Sequence, residues 1–424
     1  MADDTPVKPV NPMLNAPTSP GPRGTAFLDG LRGLAALFVL LHHASYLLFE
    51  SEAMQRQSFG NQLPYPPTGL IENITFYTLM PFAWGAPAVI FFFVLSGFVI
   101  HLRYARELAA NPRARFDWPD YFYRRARRIY PPLVTALLVT LGADYIGNQL
   151  FPTSYSLEGP YGMINRNVGL LSAHTGLLTF FGNLVFVMTA YVPIFGTDLP
   201  LWSLFYEWWF YMLYPLLRLL NRRSVLITAA VVAIVGLGLM PFLPQLMEAP
   251  AALGMDTKSL ALAVKVLVLL PAWWLGAILA DIHVGRLRIR FVHLTPLILV
   301  AGVLPIVHRQ SSDTVKSLLE ALAFTGMLAL LFDLQERGWR FKLLVWLRWL
   351  GDMSYTLYVI HYPLLVLLSA YLVNRPGSRL PKGPGWFLIG VAGCLILAWA
   401  LHILVEAPFL SRRPAEKSPG KDPA

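Results

Sequence analysis

The 424-residue chain has one cysteine and few charges. Cys394 lies inside an apolar run, so an intramolecular disulfide and a cysteine metal site are both excluded, and the redox compartment stays undetermined. Charged residues make up 14% of the chain, against roughly 25% in soluble globular domains. Hydrophobic residues reach 56%, with a mean hydropathy of +0.53. That balance excludes an ordinary soluble domain and describes a polytopic membrane protein. No apolar core precedes the first hydrophobic helix. The first 25 residues are polar and proline-rich without a cleavage signature, and read as a disordered cytoplasmic tail before an uncleaved span. Repeat halves of the transporter kind are also missing, as is any serine or cysteine nucleophile constellation.

What is present is a series of apolar runs, each near the twenty residues a bilayer requires. They fall at 31–49, 84–102, 131–151, 200–219, 224–243, 259–281, 291–308, 314–333, 352–373 and 385–406. The segments 101–130 and 334–351 between them are basic. The segments 50–83 and 152–199 are long, contain Pro and Gly, and are poor in lysine and arginine. With the N-terminus inside, 25 of the 34 lysines and arginines fall on the inner side, which satisfies the positive-inside rule and accounts for the net charge of +10 without nucleic acid. The expectation is an all-α polytopic transmembrane helix bundle of about ten spans, with N- and C-termini cytoplasmic. Residues 26–410 form the membrane domain, flanked by tails at 1–25 and 411–424. The apolar stretch 174–197 is read as re-entrant or interfacial, because a full span there would invert everything downstream.

The first run, Phe27–His43, carries ionisable residues at membrane depth, where the default reading is function. Arg32 and His43 are eleven residues apart, so they share a helix face about 16 Å apart along the axis; His42 points elsewhere. A histidine satisfied by a neighbouring helix is the alternative. The second run holds Phe91-Phe-Phe-Val-Leu-Ser96-Gly97, whose small residues allow close approach of a backbone or a ligand. Next comes Arg124-Arg125-Ala-Arg127-Arg128. Arg125 and Arg128, at i and i+3, make a fork-donor face suited to phosphate oxygens, although anionic lipid or topology alone also explains a basic run. In Leu201-Trp202-Ser203-Leu-Phe-Tyr206-Glu207-Trp208-Trp209, Glu207 is expected about 10 Å below the outer surface. Its tryptophans read either as an interfacial belt or as a sugar platform. Ser354, Tyr358 and His361 form a polar stripe that must face the bundle interior. Glu406 returns a carboxylate to the inner face, for a salt bridge to the arginines or for catalysis.

Ordered by depth, these residues predict a layered corridor: Arg32, Arg125 and Arg128 inside, His43 and His361 midway, Glu207 and its aromatics outside. A neutral imidazole can remove a hydroxyl proton as that hydroxyl attacks a thioester. The layout suits a phosphate-rich cytoplasmic donor and a hydroxyl acceptor arriving from the other side.

The motifs FLDGLRGLAALFVLLHH, FFFVLSGFVI, RRARRIYP, LWSLFYEWWFY, MSYTLYVIH and VEAP occur in the order found in acyltransferase family 3, and the chain resembles these bacterial integral-membrane O-acyltransferases from about 27 to 409. The resemblance implies a bacterial inner-membrane enzyme. Its donor is acyl-CoA, usually acetyl-CoA, and its acceptor is a hydroxyl of a surface or exported glycan, a lipid-linked sugar or a secreted small molecule. By matching positions it points to Arg32 and His43, to Arg125 and Arg128 as the paired arginines, and to Glu207; with the residue reading above, His43 is the expected base and Glu207 and His361 are expected to position acceptor or base. Arg32, Arg125 and Arg128, with Ser96 beside them, would hold the donor. No metal and no permanently bound cofactor is expected. His42 stands where an aromatic residue is more usual, and Trp208-Trp209 replace the commoner polar pair after the glutamate. Two rivals carry different expectations. A transporter would use the same ionisable residues as a solute or proton path. An inactive glycan-binding partner would tolerate loss of Arg32.

Overall fold

The computed structural model describes residues 25–49, 85–155, 174–243, 257–300, 313–374, 380–381 and 383–411. The expected tails at 1–24 and 412–424, the segment 50–83 and much of 152–199 lie outside the described residues.

In chain order the helices are α1 (Ala26–Leu47), α2 (Gly85–Ala110), α3 (Trp118–Leu150), α4 (Leu177–Leu184), α5 (Leu201–Arg223), α6 (Val225–Leu239) and α7 (Thr257–His283). A 3-10 segment (Phe291–Leu299) precedes α8 (Asp313–Glu336). The short α9 (Lys342–Trp346) and α10 (Arg348–Asp352) then lead into α11 (Ser354–Val373), and α12 (Gly385–Leu401) runs through a π-helical turn at His402–Glu406 into α13 (Ala407–Ser411). Among the described residues no β-strand occurs, only an isolated bridge between Met188 and Val192.

Eight of these helical stretches are long and apolar enough to cross a membrane. The 23-residue α5 is not in that set, because its tyrosines, tryptophans, Glu207 and arginines dilute its hydropathy. The expected span at 291–308 is represented by nine residues of 3-10 helix, its remainder lying outside the described residues. Of the segment 174–197 only the eight residues of α4 are helical, about 12 Å of rise, too short to cross.

The helix packing is centred on α1, which touches α2, α9, α10, α11 and α12. Glycines bring it close to the short helices: a Cβ on Gly30 would land on the Leu344 carbonyl, and one on Gly351 on the carbonyl of Asp29. Prolines 131, 132, 215, 271 and 363 stand inside long helices, tolerated where neighbouring helices re-satisfy the freed backbone. At one end of the bundle a buried polar cluster joins α2, α5 and α7. His101 Nε2 lies 3.1 Å from Asp281 Oδ2, which also accepts from Asn221 Nδ2 at 2.9 Å, while Arg286 donates to Asp281 and to Asn221.

The start of α5 is buried within the protein. Thr197, Asp198 and Leu201 are inaccessible. Asp144 of α3 accepts from the Thr197 backbone N–H at 2.8 Å and from its hydroxyl at 2.6 Å. Asp198 receives only a long bond from Thr140 (3.5 Å), and its Oδ1 has no partner. Burial, reinforced by the nearby Asp144 carboxylate, pushes the Asp198 carboxyl well above the usual carboxylate range. The folded state therefore holds a proton that the unfolded chain has released. This contribution is intact below the ordinary carboxylate pKa and is lost as pH rises through the folded value. We expect Asp198→Asn to melt at a higher temperature than the unsubstituted protein at about pH 8, with the two melting points converging as pH falls toward the ordinary carboxylate range. Thermal unfolding across pH in a fixed detergent checks this.

Candidate active site

The foot of α1 places Arg32 against the turn between α10 and α11. Its guanidinium donates to the Gly351 carbonyl (Nη2, 2.9 Å) and to Ser354 Oγ (Nε, 3.1 Å), and lies 3.2 Å from Asp29 one turn back. Arg32 lines a chamber of about 180 Å³ whose walls also include Ser96, Arg125, Arg128, Glu207 and Tyr355. Four helices thus deliver five of the seven residues singled out in the sequence to one space. The chamber is smaller than the roughly 300–1,000 Å³ of pockets that bury a drug-sized ligand, so a larger molecule would be only partly enclosed.

The arginines differ in how they are used. Arg124 is consumed by Asp120 and by the Tyr104 hydroxyl (2.8 Å), and Arg127 lies over the Tyr123 ring. Arg125 rests against the faces of Tyr121 and Tyr211, 5.9 and 5.7 Å from their centroids, with its buried Nε lacking a hydrogen-bond acceptor. Among the described residues Arg128 has neither a salt bridge nor a hydrogen bond; it lies close enough to Arg32 for mutual repulsion and within electrostatic reach of Glu406. Unneutralised guanidinium groups converging on a small chamber form an anion-binding arrangement, fork donors being matched to phosphate and carboxylate.

Glu207 faces the same chamber and accepts from Ser96 Oγ at 3.0 Å and from the Tyr211 hydroxyl. Trp273 Nε1 donates to Ser96 Oγ at 3.2 Å. The expected depth order is therefore corrected. Because α5 begins inside the bundle, Glu207 lies beside the arginines and not toward the far side. The next turn of α5 outward carries Ser203, whose hydroxyl pairs with Tyr358 at 2.6 Å. The histidines come after that.

His43 and His361 meet with Nδ1 of the first 2.7 Å from Nε2 of the second, rings stacked at 5.0 Å. His361 is fully buried, and its Nδ1 lies 3.1 Å from the Leu357 carbonyl, which can only accept. The hydrogen-bond pattern assigns the remaining protons: His361 Nδ1 carries one, so its Nε2 accepts from His43 Nδ1–H, and His43 Nε2 is left with a lone pair. His43 lies deep among the helices yet keeps some accessible surface. Neither histidine lines the arginine chamber. Arg32 and His43 therefore do not share the chamber as expected; one face of α11 links the two places, with Ser354 at Arg32, Tyr358 at Ser203 and His361 at His43. Seven residues, about 10 Å, separate the first from the last. His42 packs on the backbone of Gly85.

Two further expectations change. Trp208 stacks on Phe186 at 4.6 Å and Trp209 Nε1 donates to the Phe186 carbonyl at 2.9 Å. Both therefore pin the 185–200 loop, where Phe186 holds a positive φ of 57°, a role that neither expected reading of these tryptophans included. Among the described residues Glu406 pairs with His402 of its own π-helical turn (2.9 Å) and with Thr356 (2.6 Å) and forms no salt bridge with an arginine, although Arg128 acts on it at longer range. The residues not singled out in the sequence are Asp29, Tyr211, Trp273 and Tyr355. Helical spacing from Arg32 and Glu207 points to Asp29 and Tyr211, while Trp273 has no local signal. Among the described residues no group of His, Cys, Asp or Glu is arranged to hold a metal ion.

A family model, that of the acyltransferase domain, matches residues 25–403. The chain belongs to this acyltransferase family. The match covers every residue named above except Glu406. No curated protein and no solved structure gave a match. The described residues of the acyltransferase thus comprise an arginine chamber and a histidine pair on a membrane-type helix bundle.

Because Thr356 and His402 share the Glu406 carboxylate, Glu406→Ala should lower the melting temperature, consistent with the ~1.5–3 kcal/mol of a charged hydrogen bond. Thr356→Val should lower it less, and the double variant should fall no further than Glu406→Ala. Thermal melts of the three proteins test this.

Proposed function

We propose that this membrane acyltransferase takes an acyl group, acetyl in the simplest case, from acyl-CoA on the cytoplasmic side. It transfers the group to a hydroxyl of a surface or exported glycan, a lipid-linked sugar or a secreted small molecule. The observation that carries the reading is the pairing of a chamber lined by three arginines, two of them without a salt bridge among the described residues, with a histidine whose Nε2 is free to accept a proton.

In this reading Arg32, Arg125 and Arg128 hold phosphate oxygens of the donor. Ser96, Glu207 and Tyr211 flank the arm that leads inward, and the thioester passes Tyr358 to reach His43. The axial distance from Arg32 to His43, about 16 Å, is suited to an extended carrier arm. His43 Nε2 takes the acceptor's hydroxyl proton as that oxygen attacks the thioester carbonyl carbon. The C–S bond then breaks, the departing sulfur recovers the proton from His43, and an ester and a free thiol result. His361 acts through His43: its Nε2 keeps the His43 Nδ1–H engaged before and after protonation, so no hydrogen bond is lost in the step. The cytoplasmic orientation of the chamber rests on the distribution of basic residues.

The test is transfer of label from radiolabelled acetyl-CoA to membrane and secreted acceptors by membranes containing the protein. His43→Ala, with His42 intact, should reduce transfer at least ~10²-fold with insertion and expression unchanged. His361→Ala should reduce it less and alter the pH–rate profile, and His361→Gln, which can still accept from His43, should recover part of the loss. Full transfer by His43→Ala would assign the base elsewhere. Arg125→Lys should raise the KM for acetyl-CoA more than it lowers kcat, because a point charge replaces a fork.

A further inference from the structure

A second cavity is larger than the arginine chamber. It is a crevice of about 810 Å³ on the other side of the foot of α1, between Phe27, the ends of α7 and α8, and the stretch 338–346. Its floor is aromatic: Phe332 packs against Phe27 at 5.6 Å, against Phe291 at 5.0 Å and against His283 at 5.2 Å, and Phe27 meets Phe341 at 5.2 Å. Its outer wall, α9 with its flanks, exposes Trp339 (62%), Leu343 (67%) and Trp346 (67%). Tryptophans, leucine and basic residues on one short helical stretch are the composition of a segment lying in the membrane interface.

The cations on this stretch divide in two. Arg337 is engaged by Asp333 at 2.7 Å, and Arg348 stands 4.0 Å from Asp352. Arg340 and Lys342, both on the rim of the crevice, have no ion pair among the described residues. Glu336, the carboxylate on the same rim, is already engaged within the protein. An aromatic slot open at an interface, with two unneutralised cations at its lip, is complementary to a molecule having an apolar tail and a phosphate head.

We propose that this crevice is a site for an anionic glycerophospholipid, with an acyl chain along Phe27, Phe291 and Phe332 and the phosphate between Arg340 and Lys342. The site abuts the end of α1 that carries Arg32. The stretch that forms its outer wall continues into Leu344, which Gly30 contacts, and Gly351, whose carbonyl orients Arg32. A lipid seated there braces that turn from the side opposite the chamber. The inference is independent of the acyl-transfer chemistry.

The phosphate of CoA offers the same head chemistry, so the experiment separates the two sources. The intact protein is purified in mild detergent, and retention of added dioleoyl phosphatidylglycerol is measured by native mass spectrometry against phosphatidylcholine of the same chains. The proposal expects selective retention of phosphatidylglycerol. It expects about a 30-fold weaker affinity in the double variant Arg340→Ala/Lys342→Ala, from two lost surface cations, and no displacement by free CoA. Both residues are exposed, and an unchanged lipid-free melting temperature confirms that the variant folds. A second variant, Phe27→Asp, places a charge on the floor and should lower retention of both lipids. Equal retention of both lipids, unchanged affinity in the double variant, or displacement by CoA overturns the proposal; displacement would make the crevice part of the donor site and leave the acyl-transfer reading standing.

Discussion

The bond from Arg32 to the Gly351 carbonyl fixes the geometry on which the rest of the site depends. A guanidinium that is only partly accessible among apolar helices must find most of its partners in the protein. A backbone carbonyl, Ser354 and Asp29 supply them. The carbonyl is within reach because Gly351 and Gly30 let α1 and the α9–α10 turns approach at backbone distance. This single attachment orients Arg32 and sets the register between α1 and α11. With the helices in that register, the second polar residue of α1, His43, falls opposite His361.

The same constraint explains why the polar groups of α11 form a ladder. Ser354, Tyr358 and His361 each find a partner on a different neighbour or position: Arg32, Ser203 and His43. Each partnership satisfies a group that lipid could not. Against this background the arginines without such partnership stand out. Among the described residues Arg125 has aromatic faces and Arg128 has no salt bridge, where Arg124 has a carboxylate. Leaving charge unneutralised beside a chamber costs stability, and such sites are where ligand binding is concentrated.

Much of the architecture was legible in the sequence because a bilayer leaves few options: apolar runs of about twenty residues read as helices, and ionisable residues in them must turn inward. That logic located Arg32, Ser96, Arg125, Arg128 and Glu207, which share one chamber, and the pair His43 and His361. What it misplaced was depth. Counting residues from the apparent start of α5 assumes that the helix starts at an accessible surface, whereas the Thr197-Asp198 turn before it is buried within the protein. Glu207 consequently sits with the arginines. The roles of Trp208 and Trp209 were illegible for a related reason: they are set by Phe186, a residue of the preceding loop in an unusual backbone conformation that no periodicity announces. Trp273 reaches Ser96 across helix packing, a contact between residues 177 positions apart.

The central claim is that the arginine chamber and the histidine pair are the two ends of one donor path. The most direct test is a structure of the intact protein by electron cryomicroscopy with a ketone analogue of acetyl-CoA that cannot be cleaved. The account predicts phosphate density against Arg32, Arg125 and Arg128, with the arm running past Tyr358 and the carbonyl beside His43 Nε2. Phosphates lodged elsewhere, or a carbonyl stopped at Glu207 with the histidines walled off behind an intact Ser203–Tyr358 pair, would contradict it.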